Sequence, residues 1–289
     1  MQAFPSVAET RQIILLQKEI PPLPLIAQRI LSLPPDADVG ELAALIEKAP
    51  EIAARLIGLA NSAYFGWPGG VRTVYDAVYK VLGIKLVKSL VIGMALGSAF
   101  EAGKCPGFRP ERYWFTAVVT AQMTQGLFPL LPFSLSCDLG NVHMNGLLHN
   151  LGIVVLAHVF PLELSGALSP APGADVPSST ERIRSAIGVD HMTAGGWLAR
   201  KWHLPRDIVC VMEHHKDPGY RGEFWPLSML VGYCERRARH LYATGDVGSE
   251  PPVEALLGIG EEAQERMRRT LEGQLEEIRS MVSLMATGE

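Results

Sequence analysis

The sequence has no excess of positive charge. Its 289 residues include 26 Lys and Arg against 30 Asp and Glu, which gives a formal net charge of −4 at pH 7. Proteins that bind nucleic acid non-specifically need a basic surface. We therefore expect no direct nucleic-acid binding, although a local basic patch is compatible with these totals. Only 19% of residues are charged and 48% are apolar, which excludes wholesale disorder and predicts a sizeable core.

Cysteine is scarce and dispersed along the chain. The four cysteines, Cys105, Cys137, Cys210 and Cys234, form no Cys-x-x-Cys pair. A disulfide framework and a cysteine-rich zinc knuckle both need closer spacing, so both are excluded. We interpret the four as scattered buried thiols of a cytosolic protein.

A signal peptide and a membrane span are also missing from the sequence pattern. The apolar stretch 89–100 is too short to cross a bilayer, and the uncharged stretch 113–137 is interrupted by Pro129 and Pro132. The first 20 residues carry charges and no apolar segment ahead of a cleavage site. We expect no membrane insertion and a cytoplasmic location.

Strand patterns and nucleotide-binding motifs are absent as well. No segment alternates with the period of a strand, and the sequence contains no G-x-S-x-G, P-loop or G-x-G-x-x-G motif. Helix signals are frequent instead. Asp38 and Glu41 form a capping pattern, Pro50 suits a first turn, and Thr73 and Gly83 bound another helix. The predicted fold class is therefore all-α.

The helical pattern divides into two lobes. The turn-rich segment 103–110 predicts a boundary, giving an N-terminal helical lobe at 1–104 and a second lobe at 105–289. Residues 168–179 predict a surface loop. A helix is predicted from about residue 140 past His158, and a last helix at 261–285 whose apolar stripe contains Met267, Leu271, Leu275, Ile278, Val282 and Met285.

Histidine is the residue with the most uneven distribution. Seven of the eight histidines fall between residues 143 and 215, namely His143, His149, His158, His191, His203, His214 and His215. Such density suggests a metal site in the second lobe. For any single histidine, a hydrogen-bonded core or capping position is the better explanation, whereas for the group as a whole that explanation is weaker.

Short motifs occur in a fixed order along most of the chain. The N-terminal ones are PPLP at 21–24, IL at 30–31, ELAALI at 41–46, APEIAARL at 49–56, ANSAYFG at 60–66, DAV at 76–78 and LG at 82–83. The C-terminal ones are GLLHNLG at 146–152, GVDH at 188–191, WHLP at 202–205 and HH at 214–215. In this series of motifs the chain resembles the HDOD proteins, a branch of the HD-domain superfamily. The resemblance covers roughly residues 15–240 and implies an HD-domain-like second lobe.

The resemblance also implies where a metal would bind, and the chain departs from that pattern. Active HD phosphohydrolases hold one or two metals with a helix histidine, a His-Asp doublet, further histidines and a late aspartate. Here the doublet is His149-Asn150, and an amide oxygen replaces the bridging carboxylate. The upstream histidine falls near Thr116, and no histidine precedes residue 143. The late aspartate falls in 229–236, where Glu235 is the only acid and is expected to be out of register.

Four histidines remain in this degenerate site. His191, His214 and His215 match positions that bear ligands in the active relatives, and His149 opens the doublet. They form either a vestigial pocket held by hydrogen bonds or a site for a softer divalent ion such as zinc, nickel or copper, which imidazoles alone can bind.

The resemblance implies a non-catalytic regulatory module of bacterial signal transduction rather than an enzyme. Such a module binds a signalling protein or a small ligand, either alone or as the output part of a response regulator. The implied partners are a sensor kinase, a receiver domain or a cyclic-dinucleotide enzyme. The sequence is also compatible with a homodimer. The alternatives are a residual metal-dependent phosphohydrolase or phosphodiesterase, and a metal- or nucleotide-sensing module without turnover.

Overall fold

The computed structural model of the chain describes residues 7–16, 20–34, 37–133, 141–169 and 179–286. Over these residues the protein is helical and forms no β-strand, which confirms the predicted all-α class. The predicted loop at 168–179 lies mostly outside the described residues, and so does Cys137.

The described residues before residue 105 form six α-helices. They are α1 (Val7–Leu16), α2 (Leu25–Leu31), α3 (Val39–Ile46), α4 (Pro50–Ala60), α5 (Val74–Asp76) and α6 (Ile84–Ser98). A π-helical turn, Ala77–Leu82, continues α5. The sequence signals for these helices are confirmed. Asp38 accepts a hydrogen bond from the Glu41 amide at 2.8 Å, Pro50 opens α4, and Gly83 ends the π-helical turn at φ 75°.

Eleven further α-helices follow in the described part of the chain. They are α7 (Pro110–Leu127), α8 (Val142–Leu148), α9 (Leu151–Val159), α10 (Pro161–Leu168), α11 (Ser179–Ile187), α12 (His191–Lys201), α13 (Arg206–His214), α14 (Trp225–Thr244), α15 (Pro251–Leu257), α16 (Glu261–Gly273) and α17 (Leu275–Ala286).

Two predicted helices are each divided in the structure. The helix expected past His158 breaks at Asn150, where φ is −103° and ψ is 14°. The helix expected at 261–285 breaks at Gln274, where φ is −114° and ψ is 17°. The predicted stripe continues across the second break, since Leu271 before it and Ile278, Val282 and Met285 after it are buried. Apolar periodicity alone therefore does not reveal the interruption.

Helix α7 lies at the centre of the second half of the chain. It packs against α8, α14 and α17, while α12 packs against α9, α13 and the N-terminal α1. The Thr10 hydroxyl of α1 donates to the carbonyl of Ile187 at 2.9 Å. Buried apolar side chains from both sides of residue 104 form one continuous cluster. The division into lobes at 1–104 and 105–289 stays a prediction.

One apolar stretch, Val142–Val159, is long enough and apolar enough to cross a membrane. In the fold it consists of α8 and α9, and 83% of it is buried inside the protein. Its hydrophobicity is accounted for by core packing.

Two glycines let helices meet at backbone contact beside the histidine-rich segments. A Cβ atom on Gly152 of α9 would lie 1.8 Å from the carbonyl oxygen of His191 at the start of α12. A Cβ atom on Gly232 of α14 would lie 1.8 Å from the carbonyl oxygen of His215, just after α13. Any larger residue would push these backbones apart, so both glycines set how closely the two histidines approach α9 and α14.

A buried histidine joins α6 to α8. The Nδ1 atom of His143 lies 2.7 Å from the Ser89 hydroxyl oxygen, and that hydroxyl donates to the Leu86 carbonyl at 3.0 Å. Burial lowers the pKa of His143 to about 4. The imidazole is therefore neutral in the folded protein at neutral pH.

Replacing Gly152 or Gly232 by alanine should destabilise the protein by about 2–3 kcal/mol or more, because the added methyl group overpacks a backbone contact. The measurement is urea-induced unfolding. Gly58→Ala in α4 is the control, since its Cβ would meet nothing within 4 Å. It should stabilise the fold by about 0.5–1 kcal/mol. Equal effects at Gly152 and Gly58 would contradict the close approach.

Lowering the pH should destabilise the protein through His143. The unfolded histidine has a pKa near 6.5, so between pH 6.5 and about 4 the unfolded chain binds a proton that the folded protein does not. Stability is full above pH 6.5 and falls by about 3 kcal/mol toward pH 4 through this residue. His143→Asn cannot be protonated there. Urea titrations at several pH values from 7 to 4 give the free energy of unfolding, and its dependence on pH should correspond to about one proton fewer in this variant. An unchanged slope of that free energy against pH would refute the assignment.

Candidate functional site

The His149-Asn150 doublet occupies the break between α8 and α9. The His149 Nδ1–H group donates to the carbonyl of Gly146 at 2.6 Å. This fixes the tautomer, so Nε2 is the acceptor, and the Asn150 side-chain amide donates to it at 2.7 Å. Both residues are buried. The amide of Asn150 therefore occupies the lone pair with which His149 would bind a metal.

His215 and His191 complete an imidazole cluster with His149. The rings of His149 and His215 are 5.1 Å apart between centroids, and those of His191 and His215 are 6.0 Å apart. The His215 Nδ1–H group donates to the carbonyl of Val211 at 2.9 Å, so its Nε2 is the free acceptor. His191 opens α12 directly after the N-cap Asp190, whose side chain accepts from the Thr193 amide at 2.8 Å. Three of the four predicted site histidines therefore come together.

His214 does not join this cluster. Its half-buried ring stacks on Tyr220 with 3.8 Å between centroids and an interplanar angle of 2°. His214 and His215 are neighbours at the end of α13, and successive side chains on a helix point about 100° apart. Only His215 can face His149 in this geometry.

Glu235 lies at the cluster, contrary to the expectation that it would be out of register. It sits on α14 one turn after Gly232, and only 1% of its surface is exposed. The Lys216 ammonium lies 3.1 Å from Glu235 Oε1, and the Arg239 guanidinium lies 3.5 Å from the same oxygen. Neither cation was predicted from the sequence. Lys216 directly follows the His214-His215 doublet, and Arg239 lies four residues after Glu235, which is the spacing of a helical ion pair.

Burial and charge fix the protonation states of the cluster. Burial lowers the pKa of His149 to about 4 and that of His215 to about 3, and it holds the pKa of His191 well below its ordinary value. Burial opposes ionisation of Glu235, yet the nearby Lys216 and Arg239 together hold the pKa of that carboxyl well below its usual range. At neutral pH the cluster contains three neutral imidazoles and one carboxylate.

Several buried polar atoms at the cluster make no hydrogen bond within the described residues. They are both ring nitrogens of His191, Nε2 of His215, Oδ1 of Asn150 and Oε2 of Glu235. Most are acceptors, and such acceptors suit a cation. A cation is already built into the chain at this place, since the side chain of Lys216 is only 16% exposed and contacts Glu235.

These residues do not fit the divalent-metal centre that active HD phosphohydrolases carry. The one carboxylate is already paired with two cations, and an amide stands where a bridging carboxylate is needed. Within the described residues, no group of three or more His, Cys, Asp or Glu side chains is arranged to hold a metal ion. Hard divalent ions favour clustered anionic oxygens, which are lacking here.

A cavity opens beside the ion pair. Thr116, Asn150 and Glu235 are among its lining residues, so Thr116 does lie beside the doublet, where the resemblance places the missing upstream histidine. The Thr116 hydroxyl donates to the carbonyl of Arg112 at 2.9 Å. Its hydrogen is therefore used within α7.

Several known proteins are similar to this chain in sequence or in structure. An uncharacterised protein of Treponema pallidum (strain Nichols) is 26% identical over 257 residues, covering 87% of this chain and 48% of that protein. A provisionally named signal transduction protein of Marinobacter aquaeolei VT8 has a TM-score of 0.76 at 30% identity, covering 93% of this chain and 60% of that one. A provisionally named phosphohydrolase of Shewanella amazonensis SB2B has a TM-score of 0.72 at 22% identity, covering 97% and 98%.

The chain thus spans about half the length of the Treponema relative and 60% of the Marinobacter chain. The likeness to the Shewanella structure concerns the fold alone. The profile of the HDOD domain matches residues 20–218, which is more than half of the sequence. The resemblance read from the sequence is therefore confirmed, and the chain belongs to the HDOD-domain family.

Proposed function

We propose that this chain is a non-catalytic regulatory module of bacterial signal transduction that works in the cytoplasm by binding a signalling protein or a small ligand. The observation that carries this proposal is the Lys216–Glu235 ion pair at the histidine cluster. An ammonium group provides fixed positive charge there, but it cannot bind and activate water as a metal ion does. Asn150 removes the second anionic group that a hydrolytic centre needs.

The partner side of the proposal rests on the family and its relatives. The Marinobacter protein is named for signal transduction, and a sensor kinase, a receiver domain or a cyclic-dinucleotide enzyme would be a partner of that kind. A homodimer is a further option. The competing function is a residual metal-dependent phosphohydrolase. Two observations favour it, namely the three neutral imidazoles and the name of the Shewanella protein.

Removing the internal cation should create a metal site. In Lys216→Met the carboxylate of Glu235 loses its nearer partner, while the three imidazoles stay in place. Because a unit charge at about 4 Å contributes a few kcal/mol in a protein, we expect Ni²⁺ and Zn²⁺ to bind this variant about tenfold or more tightly than the wild type. Isothermal titration calorimetry with each metal salt measures this. Lys85→Met, at an exposed lysine on α6, is the matched control and should behave as wild type.

Hydrolysis decides between the two functions. Wild-type protein with Mg²⁺, Mn²⁺, Ni²⁺ or Zn²⁺ should not hydrolyse bis(p-nitrophenyl) phosphate above the metal-only rate. Metal-dependent turnover that His149→Ala abolishes would overturn the regulatory proposal. A third function, metal sensing without turnover, would appear as micromolar metal binding by the wild type that is lost in His191→Ala, with no hydrolysis.

A further inference from the structure

The cavity beside the ion pair has a strongly cationic lining. Among the described residues, five basic side chains and one carboxylate line it, namely Arg109, Arg112, Arg182, Lys216, Arg239 and Glu235. The chain as a whole has a net charge of −4, so this local excess runs against the overall balance. The overall charge composition is compatible with a local basic patch, and this cavity is such a patch. It lies in a concave site rather than on an open surface.

The one carboxylate in the lining does not neutralise the cavity. Glu235 already faces both Lys216 at 3.1 Å and Arg239 at 3.5 Å, so a positive charge remains on that wall alone. At the start of α7, Arg109 and Arg112 also line the cavity, are exposed and form no ion pair with any described residue. An anion entering the cavity would therefore meet cations from α7 as well as Lys216 and Arg239.

The start of α7 adds to the same field. This 18-residue helix begins at Pro110. The first backbone amides of a helix have no intrahelical acceptor, and the N-cap Arg109 side chain does not supply one here. The N-terminus of a helix carries partial positive charge. The acid of this first turn, Glu111, is not among the residues that line the cavity.

The rest of the lining restricts what kind of anion fits. Phe108 and Tyr113 both line the cavity, and their ring centroids are 5.6 Å apart. Ile153 extends the apolar surface. Inside, the buried Oδ1 atom of Asn150 and Oε2 atom of Glu235 have no donor within the described residues. They would accept hydrogen bonds from a hydroxyl or amino group.

We propose that this cavity binds a small phosphate monoester of the nucleotide class. The phosphoryl group lies between Arg109, Arg112 and the Lys216–Arg239 wall. The organic part contacts Phe108 and Tyr113, and a hydroxyl or amine of the ligand donates to Asn150. The inference rests on the proposed function, because without an activated water the ester stays bound and uncleaved.

The test uses the full chain and three probes: AMP, adenosine and inorganic phosphate. Binding is measured by isothermal titration calorimetry in HEPES at fixed ionic strength. AMP should bind most tightly, inorganic phosphate more weakly, and adenosine at least tenfold more weakly than AMP. AMP binding should weaken as salt is raised. The double variant R109Q/R112Q, at two exposed positions, should bind AMP at least tenfold more weakly, while Arg72→Gln in the exposed loop before α5 should match the wild type.

Four results would overturn the proposal. The first three are no AMP binding at millimolar concentration, equal binding of AMP and adenosine, and equal binding by wild type and R109Q/R112Q. Equal affinity for AMP and inorganic phosphate would refute the ester and leave a simple anion site. Phosphorus NMR of the same samples separates this inference from the proposed function. Cleavage of AMP would refute the regulatory function but not the cavity, whereas intact AMP without binding would refute the cavity alone.

Discussion

The buried ion pair between Lys216 and Glu235 is the interaction on which the rest of the site depends. A carboxylate with 1% exposure is costly to ionise, and it stays ionised only because two cations face it. The pair exists because α13 ends against α14 at Gly232, where the two backbones touch. Packing of two helices thus determines the charge at the centre of the site.

The same pair separates two different environments. On its inner side lie neutral imidazoles whose pKa values are lowered by burial, so that no charge faces Glu235 from there. On its outer side lies a cavity that is lined by several arginines. A positive group that discourages a divalent ion on one side thus favours an anion on the other. Under the two proposals above, this one lysine would account both for the absence of hydrolysis and for the binding of a phosphate ester.

Local sequence signals predicted the fold well because their partners are a few residues away. The Asp38–Glu41 cap, the proline that opens α4 and the glycine before α6 all act within one turn. The breaks at Asn150 and Gln274 were not predictable from periodicity, since the apolar stripe continues past them. The histidine cluster was predicted in part, and the neighbours His214 and His215 show why. A doublet on a helix cannot point both rings one way.

Glu235 shows where sequence reasoning alone stops. Its orientation depends on how closely α14 approaches the end of α13. That distance is set by the backbone contact between Gly232 and His215, which lie on different parts of the chain. No pattern within α14 distinguishes a solvated glutamate from a buried one. The cavity cations were equally hidden, because Arg109, Arg182 and Arg239 converge only through the packing of α7, α11 and α14.

The segment matched by the family profile ends at residue 218, and Glu235 and Arg239 lie beyond it on α14. A recombinant fragment trimmed to the matched segment would keep the histidines and Lys216 but lose the carboxylate that neutralises this lysine. It would also uncover the side of α7 against which α14 and α17 pack. Surveys of related chains limited to the matched segment would thus overlook Glu235, the acidic partner in this internal salt bridge.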